Sequence, residues 1–144
     1  MKDIKHDLVV MGATGFTGKL VVEYIIKSYG VRNQHFTWAI AGRSLSKLEK
    51  LKDSLKKLDS LSPDIPTMKV DSLDSKSLDN MTSSCRLVIT TVGPYMKFGF
   101  QLVESCIINS THYCDLTGEV PFIRQSIDLF HSEAKEKSCR IIHS

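Results

Sequence analysis

Residues 9–25 read VVMGATGFTGKLVVEYI, an apolar run that gives way across three glycines to a helical pattern. Gly12, Gly15 and Gly18 stand three residues apart. Glycines between a strand and a helix let the chain turn tightly and let its backbone approach a phosphate. The spacing is G-x-x-G-x-x-G rather than G-x-G-x-x-G, so the triplet alone fits either a dinucleotide cradle or a turn serving only helix–sheet packing. The flanking elements decide between them.

Leu8–Met11 is a short buried-strand run. Phe16–Tyr29 follows as a helix with Leu20, Val21, Tyr24 and Ile25 at helical spacing and Gly30 as its stop. Phe36–Ala41 forms a second strand. Ser46-Lys47-Leu48-Glu49 reads as a capping box for a helix running to Leu58, with Leu48, Leu51, Leu55 and Leu58 as its core stripe. Residues 59–66, with Pro63 and Pro66, predict a surface loop. Thr67–Val70 is the third strand, Asp74 caps a helix over Lys76–Met81, and Leu87–Val92 is the fourth strand. A helix over Phe98–Asn109 leads to the fifth strand, His112–Leu116. The helix Pro121–Lys137 presents Phe122, Ile123, Ile127, Phe130 and Ala134, and Arg140–His143 begins a sixth strand. Strands alternating with helices build βαβ units. The expectation is an α/β fold with a doubly wound, Rossmann-type parallel sheet of six strands in order 3-2-1-4-5-6, linked by five helices.

Composition agrees with one domain. The chain has 144 residues, 42% of them apolar and 24% charged, with a net charge of +3. That charge is too small and too dispersed for a nucleic-acid footprint. Lys47, Lys50, Lys52, Lys56 and Lys57 read as a solvated helix face. Cys85, Cys106, Cys114 and Cys139 form no C-x-x-C pair. The nearest approach to a ligand pair, His112-Tyr113-Cys114, lacks a metal-site cadence, so no metal is expected and the cysteines read as buried free thiols of a reducing compartment. The start of the chain is polar and has no signal pattern.

With strand and helix on either side, the glycines read as a cradle for pyrophosphate at a helix amino end. Gly12 permits the turn, Gly15 the approach of phosphate, and Gly18 the packing of helix on strand. Ala13 lies within the loop, Thr14 and Thr17 add hydroxyl donors, and Phe16 is expected to pack. An NAD site usually carries an acid at the end of the second strand. Here that strand ends AIAGRS, with Arg43 and Ser44 in its place. A guanidinium grips a 2′-phosphate that a carboxylate would repel, so NADP is the expected cofactor, with NAD the alternative. Asp71, after the third strand, is either an acceptor for the adenine amino group or a turn cap. Val92, Gly93, Pro94 and Tyr95, after the fourth, would form a backbone turn beside the pyrophosphate and nicotinamide ribose. Asp115, Thr117 and Glu119, after the fifth, either project toward the nicotinamide or cap the following helix.

GATGFTG at 12–18, AGRS at 41–44, VGPY at 92–95 and YCDLTGE at 113–119 occur in that order. On this ordered set the chain resembles the amino-terminal Rossmann domain of the saccharopine dehydrogenase-like oxidoreductases. The resemblance covers nearly the whole chain from Leu8. GATGFTG by itself is shared with extended reductases; the set including GPY and Asp-x-x-Gly-Glu is far more specific. It implies the cofactor domain of an NAD(P)-dependent oxidoreductase, in a branch that includes enoyl reductases of lipid metabolism. It also implies that residues 1–144 are part of a longer two-domain protein whose second domain carries much of the substrate pocket and dimer contacts. A lipid-like small-molecule substrate, a homodimer of the full-length protein, and a cytoplasmic location with peripheral membrane or lipid-droplet association follow from the same resemblance. Tyr95 and Cys114 are proton-donor candidates by position only. A non-catalytic nucleotide sensor or scaffold is the rival class. A short-chain reductase is disfavoured because no Tyr-x-x-x-Lys occurs in the chain.

Overall fold

The computed structural model describes residues 2–144. Six strands run parallel: β1 (His6–Met11), β2 (Trp38–Gly42), β3 (Thr67–Lys69), β4 (Cys85–Thr90), β5 (His112–Cys114) and β6 (Ile141–Ile142). Their order is β3-β2-β1-β4-β5-β6, as the alternation of elements predicts. The helices are α1 (Phe16–Tyr29), α2 (Leu45–Ser54), α3 (Ser75–Thr82), α4 (Tyr95–Phe98), α5 (Phe100–Ile108) and α6 (Val120–Glu136).

The period of two along the strands divides the core into two layers. Leu8 and Val10 of β1 join Trp38 and Ile40 of β2 on one face, under Val22, Ile25 and Ile26 of α1 and Leu48 and Leu51 of α2. Val9 and Met11, with Ala39, Ala41 and Val88, face the other way onto Leu78 of α3, Leu102 of α5 and Phe122 of α6. Both faces of β1 are thereby dry, which is why its sequence is a continuous apolar run rather than an alternating one.

Several expectations are corrected. The buried stripe of α1 is Gly18, Val22, Ile25 and Ile26; of the expected residues Ile25 is buried and Val21 half-buried, while Leu20 and Tyr24 are exposed. Gly18 sets the rotation of the helix, because it lies against the backbone of Gly12. The side chains of Phe16, Leu20 and Tyr24 are consequently turned outward, with Phe16 86% exposed rather than packed. The cap of α2 is Ser44, not Ser46: its Oγ accepts from Lys47 N at 3.4 Å, and the helix ends at Ser54 with Leu58 exposed. Lys52 leaves the solvated lysine face, since its stem is buried and its Nζ pairs with Glu49 at 3.0 Å.

The loop at 59–66 holds a 3-10 turn at Ser62–Asp64, anchored by Ser62 Oγ donating to Lys52 O at 2.7 Å. The helix expected over Phe98–Asn109 is α5, and a further short helix, α4, precedes it across Gly99. In α6 the buried row is Phe122, Ser126 and Ala134, while Ile127 is exposed. His143, beyond β6, packs beside Phe122 and Ser126 on the covered side of α6.

Candidate active-site cleft

The strand order reverses beside β1, whose neighbours are β2 on one side and β4 on the other. At this switch point the carboxyl ends of the strands open a cleft of about 210 Å³. Its wall combines Gly12, Thr14 and Gly15 after β1, Arg43 after β2, Ser72 after β3, and Thr91, Val92 and Gly93 after β4.

The glycine loop is held from both sides. Gly12 N and Ala13 N donate to Ala41 O at 3.0 and 3.3 Å, and Thr91 Oγ1 donates to Gly12 O at 3.3 Å. Gly12 has φ +83°, and a Cβ there would meet Val92 Cγ2 at 2.7 Å. A Cβ on Gly18 would lie 2.0 Å from Gly12 O. Protein packing therefore demands glycine at both positions. Gly15 differs: its φ of −75° and ψ of 171° suit any residue, and a Cβ would meet only Gly12 O, at 3.4 Å. Neither the backbone angles nor a lack of room requires the glycine at 15.

Gly15 is also the residue before α1, and α1 has neither a side-chain cap nor an acidic residue in its first turn. Ser44 caps α2 and Asp74 caps α3, while α4, α5 and α6, like α1, carry no side-chain cap from the residue before them. The N–H groups of Phe16, Thr17 and Gly18 are those a helix leaves without internal acceptors, and the helix dipole adds positive potential to them. Ala13 is buried beneath the loop, whereas Thr14 is exposed along the cleft.

Arg43 is exposed on the cleft wall and enters no side-chain hydrogen bond or ion pair among the described residues. Ser44 beside it is committed to its cap and to Ser46 Oγ at 3.0 Å. Asp71 is exposed outside the cleft wall and accepts from Leu73 N at 2.9 Å, which favours the turn-cap alternative. Ser72, which no sequence motif marks, lines the cleft instead. It follows Asp71 in the turn after β3 and is buried, a placement for which the sequence carries no local signal.

Val92 and Gly93 line the cleft, and the Gly93–Pro94 peptide is cis. Tyr95 is not positioned as a proton donor, because its phenol is buried and donates to Thr90 O at 3.1 Å. Burial also pushes its pKa up. Burial raises the pKa of Cys114 too, and its half-buried thiol lies 3.9 Å from Asp115 O.

The segment YCDLTGE is a brace. Asp115 Oδ2 accepts from Tyr113 OH at 2.8 Å and lies 2.7 Å from His143 Nδ1, while Oδ1 accepts from Thr117 N at 3.0 Å. With Asp115 ionised, Nδ1 of His143 carries the proton. Its Nε2 lies 3.1 Å from Ser126 Oγ in α6. Burial opposes ionisation of Asp115, but the hydrogen bonds from His143, Thr117 and Tyr113 outweigh it and leave the pKa below the ordinary 3.8.

A depressed folded-state pKa contributes stability that is complete above the unfolded value and is lost as pH falls through the folded one. Asp115→Asn is expected to lower stability at neutral pH by about 1–3 kcal/mol and to flatten the acid limb between about pH 5 and pH 2. Urea midpoints across that range check this. Equal acid slopes for the two proteins would refute the role.

Residues 8–142 match the saccharopine dehydrogenase NADP-binding domain. The chain belongs to this family. Among curated relatives, trans-acting enoyl reductases of Mycobacterium tuberculosis and Mycobacterium ulcerans are 40% and 38% identical to it over 138 residues. These alignments take in 96% of the chain but 31% of each relative, so the domain spans about a third of their length. The fold is shared with the saccharopine dehydrogenase (L-Glu forming) of Saccharomyces cerevisiae, at TM-score 0.64 and 18% identity over 96% of this chain and 26% of that one. It is shared also with the Citrobacter sp. triphenylmethane reductase complexed with NADP(H), at TM-score 0.67 and 14% identity over 95% and 48%. No helix among the described residues is long and apolar enough to cross a membrane.

Proposed function

We propose that the domain binds NADP(H) in the cleft at the ends of β1, β2 and β4, as the cofactor-binding part of a longer, two-domain oxidoreductase. The observation that carries this reading is the amino end of α1, left uncapped behind a glycine the fold does not require, with Arg43 on the adjoining wall. Pyrophosphate would lie on the N–H groups of Phe16, Thr17 and Gly18, while Arg43 would hold the 2′-phosphate. Gly12, Ala13 and Thr91 keep the loop in shape, and Val92 and Gly93 form the wall for the second nucleotide. When bound, NADPH supplies the hydride, and the protein orients it and excludes competing reactions.

The relatives' name supports an enoyl substrate, and hence a lipid-like small molecule whose pocket lies mostly outside these residues. Homodimerisation and peripheral membrane or lipid-droplet association would also belong to the longer protein. Free cysteines support a reducing, cytoplasmic location. A nucleotide-sensing role is the second reading, favoured by the burial of the Tyr95 phenol, which leaves the cleft without that acid.

Calorimetric titration of the purified domain tests the proposal. Saturable NADPH binding, with weaker NADH binding and no steady NADPH oxidation on an enoyl or carbonyl panel, is the expected result. Absence of saturable binding at millimolar NADPH would overturn the cofactor site, and steady turnover would overturn the need for a second domain.

A further inference from the structure

The geometry points to Glu119 as a positioning residue for the nicotinamide half of the cofactor, an inference that rests on the proposed NADP(H) site. Glu119 immediately precedes α6 but makes no side-chain cap on it. Its carboxylate instead crosses to α4, where Oε1 accepts from Tyr95 N at 2.6 Å and Oε2 from Met96 N at 3.0 Å. α4 needs an acceptor from elsewhere because the residue before it, Pro94, has no side-chain oxygen. A carboxylate gripping two backbone N–H groups makes charge-assisted bonds, stronger than neutral ones.

The backbone of Glu119 is itself held by a chain of hydrogen bonds. Glu119 N donates to Thr117 Oγ1 at 3.0 Å, and Thr117 N donates to the buried Asp115 at 3.0 Å. Tyr95 is thus pinned at both ends, by Glu119 at its backbone and by Thr90 O at its phenol. Val92 and Gly93, which face the cleft, are strung between this anchor and β4. They lie on the β4 side of the switch point, opposite Arg43 on the β2 side. A doubly wound sheet gives one nucleotide to each side. Glu119 therefore acts, through the 92–95 loop, on the nucleotide that Arg43 does not touch.

NADPH and adenosine 2′,5′-bisphosphate, which lacks the nicotinamide half, separate this role from general stabilisation. Glu119→Ala should weaken NADPH by about tenfold, with the bisphosphate unchanged. Glu119→Gln keeps one carbonyl acceptor, so it should lose less, and it supplies the measurement should the alanine variant fail to fold. Calorimetric titrations of wild type and both variants, with melting curves alongside, give the comparison. Equal weakening of the two ligands, or no weakening of NADPH, would overturn the positioning role. A wild-type domain that bound neither ligand would overturn the cofactor site itself, and the role with it.

Discussion

Gly15→Ala should fold normally and lose most of its affinity for NADPH, whereas Gly18→Ala should be strongly destabilised. At Gly15 the backbone angles suit alanine, and the added carbon meets only Gly12 O at 3.4 Å. Such a substitution removes freedom from the unfolded chain and commonly adds about 0.4–1 kcal/mol of stability. The same carbon would intrude where a phosphate must approach the amino end of α1. Overpacking of about 1–3 kcal/mol corresponds to about 5- to 150-fold in affinity.

At Gly18 the carbon would lie 2.0 Å from Gly12 O, a backbone atom that cannot swing aside. The helix must lift from β1, at a cost of about 3 kcal/mol or more, which its helix propensity gain of about 1 kcal/mol does not offset. Urea denaturation and NADPH titration of both variants test the pair. A Gly15→Ala protein that kept full affinity would show that phosphate does not approach this loop. A Gly18→Ala protein of wild-type stability would contradict the close contact on which the orientation of α1 rests.

Arg43→Ala should weaken NADPH by about 10- to 150-fold and leave NADH nearly unchanged. Charge-assisted hydrogen bonds to a 2′-phosphate contribute roughly 1.5–3 kcal/mol, and each 1.4 kcal/mol is about tenfold in affinity. Arg43 has no internal partner among the described residues, so its removal leaves no orphaned carboxylate to complicate the result. It is exposed, and raising the salt concentration should therefore erode the preference of the wild type for NADPH. Dissociation constants for both cofactors, in both proteins and at two salt concentrations, provide the test. An unchanged NADPH-to-NADH ratio in the variant would remove Arg43 as the discriminator. Equal small losses for both cofactors would mark it as an ordinary surface arginine.

What the sequence determined by itself is the sheet and its switch point. Runs such as Leu8–Met11 are buried on both faces, so they are apolar throughout, and the helices between them carry their own periodicity and stops. Local chemistry of this kind is legible because each signal lies within a few residues of the atom it governs. Strand order follows from it, since right-handed crossovers leave few alternatives. The placing of the glycine loop and Arg43 at the cleft was legible for the same reason: each follows directly on a strand end.

Rotation and reach were decided only by the tertiary structure. The hydrophobic residues of α1 fit two rotations, and it is the contact of Gly18 with Gly12 O that selects the one exposing Phe16 and Tyr24. Asp71 and Ser72 are neighbours in sequence, yet the turn after β3 leaves one exposed and the other lining the cleft. Tyr95 looked like a proton donor by position, but the pocket between Thr90 and Phe122 takes its ring. Glu119 sits where a helix cap belongs and caps a different helix, 24 residues away along the chain. Each of these outcomes depends on which distant backbone atom lies within about 3 Å of a polar group, a distance that only the packed chain sets.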